Sequence, residues 1–107
     1  MLLSTQSTLS DYEITETLGI VRGNTIRARN IGRDIMAGLR SLVGGEITEY
    51  TKLMAEAREQ AADRMISQAE ASGANAVVGV RFTTSTVLQG AAELLAYGTA
   101  VKVERKA

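Results

Sequence analysis

"GGEITEYTKLMAEAREQAADRMISQAEASGAN", residues 44–75, is the stretch that organises this chain. Its larger and smaller apolar side chains recur at Tyr50, Met54, Ala57, Ala61, Met65 and Ala69, in steps of three and four, the spacing of one face of a helix. Gly44-Gly45 interrupts what precedes it, and Glu46 and Glu49 then place carboxylates in a first turn whose free amide groups favour negative charge. Gly73 stands where a helix commonly ends on a left-handed residue. The pattern predicts one long helix over about residues 46–72. Alanine dominates its apolar seam, so the helix should lie close to whatever it covers.

Working outward, Ala76–Thr84 and Leu94–Glu104 read as two strands joined by the polar "TSTVLQGAAE" of residues 84–93. Gly79 and Gly98 fall near the strand centres, where a glycine marks a bulge or a close backbone approach. Arg81 interrupts the apolar run of Val77, Val78, Val80 and Phe82, and an ion pair with Glu93 on the neighbouring strand is the expected reason. Upstream, "YEITETLGIVRGNTIRARN", residues 12–30, reads as strands at about 13–22 and 25–30. They turn at Gly23-Asn24, a dipeptide that tolerates the positive φ of a tight hairpin. Ile31, Ile35, Leu39 and Leu42 have helical spacing, weakened by Gly32 and Gly38, and predict a short irregular helix over 31–43. The expected fold is a single α+β domain over residues 1–107: a mainly antiparallel sheet made of two hairpins, with one long helix packed on it.

Composition narrows the chemistry. The chain has 107 residues, 12 basic and 12 acidic side chains, no cysteine and no histidine. A single domain of this size buries roughly 65% of the surface its unfolded chain exposes. With aromatics at only 4%, much of that burial falls to small side chains, and partner surfaces are expected to supply more. Zero net charge argues against nucleic acid and against a membrane surface as partners. The start "MLLSTQSTL" lacks a basic n-region and a long apolar stretch, so a cytoplasmic location is expected. Without thiolate or imidazole the chain lacks the ligands that soft metals prefer. Met1, Met36, Met54 and Met65 are weak ligands, and the carboxylates suit hard cations instead. Glu49, Glu56, Asp63 and Glu70 recur every seven residues, hence about 10 Å apart along a helix, too far to share one ion. No metal site and no cofactor is expected.

The stretches "LVGGEITEYTKLMAEAREQAADRM", "GANAVVGVRF" and "AYGTAVKV", in this order, resemble the YbjQ-like proteins, and the resemblance covers essentially the whole chain. That family carries a heavy-metal-binding label without an assigned reaction. What the resemblance implies is a small α+β subunit of dodecin-like fold that assembles into a ring, typically a homo-pentamer.

Candidate functional residues are few. Glu93, Asp34, Tyr50, Tyr97, Thr83, Thr84 and Ser85 are the groups with acid, base or nucleophilic character, and no catalytic spacing links them. No catalytic residue is therefore assigned. Arg81, Glu93, Tyr97, Arg33 and Asp34 are the candidate ligand-binding residues, with a small anionic ligand as the expected class. Residues 22–40 carry Arg22, Arg27, Arg29, Arg33 and Arg40 against Asp34 alone, while the long helix carries six acids. This complementarity fits contact within or between subunits. The expected role is a non-enzymatic binding or assembly module, and the alternative is a cation-dependent enzyme or metal-binding protein using carboxylates.

Overall fold

A computed structural model describes residues 1–27, 45–88 and 91–107. Strand β1 is Leu2–Leu3, β2 is Tyr12–Arg27, helix α1 is Gly45–Ala71, β3 is Ala76–Leu88 and β4 is Ala91–Arg105. The expected helix over 31–43 lies outside the described residues.

Helix α1 forms where the three-and-four pattern placed it. Ala57, Ala61, Met65 and Ala69 are fully buried, and Met54 packs at the margin of the same cluster. The helix stops at a left-handed glycine, Gly73, with φ of 90°. The Ala74 amide donates to the Ala69 carbonyl at 3.0 Å and the Gly73 amide to the Glu70 carbonyl at 3.0 Å. Two carbonyls that the helix leaves unpaired are thereby satisfied.

The four strands lie in the order β1-β3-β4-β2. β4 pairs antiparallel with both β3 and β2, whereas β1 runs parallel to β3. The sheet is therefore mixed rather than mainly antiparallel. The second expected hairpin exists as β3–β4, and its strands extend into the polar connection, with Ser85 opposite Glu93 and Thr86 opposite Ala92.

The first expected hairpin does not exist. Residues 12–27 form one strand, paired with β4 from Tyr12 opposite Arg105 to Arg27 opposite Ala92. Gly23 is no turn residue; it is the point where α1 crosses the strand. A Cβ there would overlap the Ala61 carbonyl oxygen and the Met65 amide nitrogen and lie 2.7 Å from the Arg64 Cβ. Close crossing of an alanine-lined helix demanded a residue without a side chain. A sequence read strand by strand assigns the same glycine to a turn.

Helix and strand are also tied by polar bonds. The Arg22 amide donates to Gln68 Oε1 at 2.7 Å, and Arg64 Nη1 donates to the Asn24 carbonyl at 2.5 Å. The buried Thr25 hydroxyl donates to the Ala57 carbonyl at 3.3 Å.

One sheet face meets α1 through Val21, Val77, Val80, Leu94, Ala96 and Ala100. The other carries a smaller cluster of Ala76, Val78, Val101 and Val103, covered by Leu9, Tyr12 and Ile14. The expectations for the two strand glycines hold. Gly79, at φ +63°, sits in a register break between Val78 and Arg81, while a Cβ on Gly98 would lie 2.7 Å from Val77 Cγ1. The fold is elongated, at 59 × 25 × 18 Å, with a radius of gyration of 17.3 Å. A compact chain of this length has a radius of about 13 Å.

Candidate functional site

The bulge at Gly79 explains why an arginine stands in an apolar strand. In an unbroken strand, residues four apart share a face, so Arg81 would point with Val77 into the core beneath α1. The extra residue changes the phase. Val80 then joins Val77 on the helix side, and Arg81 emerges on the open face with an exposed side chain.

On that face Arg81 lies opposite Tyr97 of β4, and Tyr97 lies opposite Arg22 of β2. Arg22, Tyr97 and Arg81 thus form one row across three strands, with neighbours about 5 Å apart at the backbone. The next row is Asn24, Leu95 and Thr83, and the one after it Ile26, Glu93 and Ser85. Tyr97 keeps 38% of its surface exposed in the middle of the row. Ile20, one row away on β2, is 80% exposed.

Arg81 and Glu93 do not pair within the chain. The register sets them two rows apart, because Glu93 faces Ser85. Glu93 Oε2 accepts a hydrogen bond from Asn24 Nδ2 at 3.0 Å. Arg81 Nη1 donates to the carbonyls of Thr5 at 2.7 Å and Val80 at 2.8 Å. The guanidinium thereby fastens the N-terminal segment to β3. That segment is further held by Ser4 N to Val77 O at 3.0 Å and Gly79 N to Gln6 O at 2.8 Å. Backbone carbonyls orient Arg81 without neutralising it. Among the described residues the ion pair is Lys102–Glu16 at 3.5 Å, and neither Arg22 nor Arg81 has a carboxylate partner.

Of the residues expected from sequence, the structure places Arg81, Tyr97 and Glu93 on one face and brings the first two into one row. Arg33 and Asp34 lie outside the described residues. In the sequence Arg22 stands out only as part of a basic stretch. Its alternation with the buried Val21 and Gly23 shows its face, but only the β2–β4 register sets it beside Tyr97. Thr83 and Ser85 share the open face, and Thr84, opposite Leu94, belongs to the other.

The match to known proteins covers this whole arrangement. The model of the YbjQ family, described as "Putative heavy-metal-binding", matches residues 1–104. The chain belongs to that family. It is 60% identical over 103 residues to a UPF0145 protein of Methanosarcina acetivorans, covering 96% of this chain and 97% of that one. A UPF0145 protein of Thermus thermophilus is 51% identical over 104 residues, covering 97% of this chain and 91% of the relative. In fold, the chain is similar to a solved protein of unknown function from Pediococcus pentosaceus, of the DUF74 family. The TM-score is 0.63 at 13% identity, over 97% of this chain and 98% of that one.

The family's description meets a donor set that does not fit it. The chain has no cysteine and no histidine, so a soft metal would find only carboxylates and thioethers. Among the described residues no three metal-ligating side chains converge. Glu56, Glu59 and Asp63 line a shallow recess on the outer side of α1 that opens to solvent. Among the described residues, too, no helix is long and apolar enough to cross a membrane.

Proposed function

We propose that this family member is a non-enzymatic, homo-oligomeric binding module of the cytoplasm, whose open sheet face receives a small anionic ligand. The observation that carries this reading is the row Arg22–Tyr97–Arg81: two guanidinium groups without carboxylate partners among the described residues, flanking a phenol on an exposed surface. Guanidinium forks bind oxyanions through charge-assisted hydrogen bonds, and the phenolic hydroxyl adds one more donor. Arg81 is held in place by two carbonyls, so little of its freedom is lost on binding. Glu93 Oε2 accepts from Asn24 Nδ2, and among the described residues it pairs with neither arginine.

The homo-oligomeric reading is supported by the resemblance, which implies a pentamer, and by the subunit's shape. An elongated subunit with a core of alanines and valines and exposed Ile26 and Phe82 gains burial by self-association. The non-enzymatic reading rests on the open face itself, where Ser85 and Glu93 are the adjacent hydroxyl and carboxylate and Glu93 is engaged by Asn24. Calorimetric titration with inorganic phosphate tests the binding function. Saturable binding that Arg22→Gln weakens at least tenfold is expected; heat that does not saturate, or equal binding by both proteins, would refute it.

A further inference from the structure

We infer that the ligand of this face is an oxyanion carried on a flat aromatic body, with Arg22 holding the anion and Tyr97 supplying the stacking surface. The inference rests on the anion-binding reading above and adds the chemistry of the rest of the ligand. It comes from what surrounds the two charges. A site built for a bare anion gains from polar neighbours that donate hydrogen bonds. Here apolar side chains adjoin the row on both sides: Ile20, beside Thr99, on one, and Leu95, between Asn24 and Thr83, on the other. Ile20 is 80% exposed and Tyr97 38% exposed, so this shelf stays wet unless something apolar covers it.

The position of Tyr97 is decisive. It occupies the central strand of the row, with an arginine at the paired position on each side, and Arg22, whose side chain is exposed, is the one placed for guanidinium–aromatic attraction. A flat ligand laid on the ring would cover Tyr97 and reach Ile20 in one step. Its anionic group would then fall toward Arg22, whose side chain is exposed and whose backbone is fixed by Gln68. Arg81 is turned toward the N-terminal segment by Thr5 and retains its other donors for the opposite edge of the ligand. Phosphate and carboxylate share the required chemistry.

The test uses the full chain at one fixed protein concentration, titrated with inorganic phosphate, phenyl phosphate and benzoate, and followed by calorimetry. Stacking on one aromatic side chain is worth about tenfold in affinity. Phenyl phosphate is therefore expected to bind about tenfold more tightly than phosphate. Tyr97→Leu should abolish that advantage, so that phenyl phosphate and phosphate bind the variant equally, and Tyr97→Phe, which keeps the ring, should retain it. Arg22→Gln should weaken all three probes. Tight benzoate binding would assign the anion as carboxylate, weak benzoate binding as phosphate, and either supports the inference. Phenyl phosphate and phosphate binding equally to the unmodified chain would overturn the aromatic element alone, as would an advantage that survives Tyr97→Leu. Absence of binding by every probe would overturn the anion site itself.

Discussion

Replacing Gly23 with alanine adds one carbon at the closest approach of helix and sheet. That carbon would overlap the Ala61 carbonyl oxygen and Met65 amide nitrogen and stand 2.7 Å from the Arg64 Cβ. Two of the three are backbone atoms, so no rotamer change relieves the clash. The helix must instead lift by about 1 Å to restore ordinary contact distances. Lifting loosens the packing of Ala57, Ala61 and Met65 and stretches the bonds from Arg22 to Gln68, from Arg64 to Asn24 and from Thr25 to Ala57. Overpacking of this kind costs about 1–3 kcal/mol, and each weakened hydrogen bond about 1 kcal/mol. The expected destabilisation is ~3 kcal/mol or more. Urea denaturation at one protein concentration measures it, since assembly contributes to apparent stability. Gly19→Ala is the control: its φ of +110° carries backbone strain, but no atom of the described residues lies within 4 Å of the new Cβ. That control should cost about 1 kcal/mol. A loss below about 1 kcal/mol for Gly23→Ala, with an unchanged denaturant slope, would refute the helix crossing.

Sedimentation at micromolar concentration should show a homo-oligomer, with a pentamer expected, and a stable 11.4 kDa species would reject self-association. Titration with zinc, copper or cadmium should give only weak, non-stoichiometric binding, because the chain lacks thiolate and imidazole; one tight site per subunit would contradict this. Arg81→Ala and Glu93→Ala should be additive within about 0.5 kcal/mol, since the two residues face different partners. A larger coupling in a four-variant unfolding cycle would point to a contact between subunits. The Lys102–Glu16 pair is about half exposed, so Lys102→Ala should change stability by less than about 1 kcal/mol, as the same denaturation curves would show.

Periodicity alone was enough for the long helix, because its seam repeats through several turns and its end carries a left-handed glycine. It was enough, too, for the β3–β4 hairpin, and for Gly79 and Gly98 as positions of bulge and close approach. These are local properties: spacing along one element, or the conformational freedom of one residue. Family membership was also legible, since it resides in long ordered stretches of sequence. What needed the tertiary structure was everything that depends on two elements meeting. Gly23 looks the same whether it turns a hairpin or lets a helix pass, and only the crossing of α1 distinguishes them. The parallel addition of β1 involves two residues, too few to show a pattern. The partners of Arg81 and Glu93 depend on register, and one bulged residue moved Arg81 from the core face to the open face. The same register set Arg22 beside Tyr97, 75 positions apart in the chain. Side-chain identity named the chemistry available, and strand pairing decided which groups could act on one ligand.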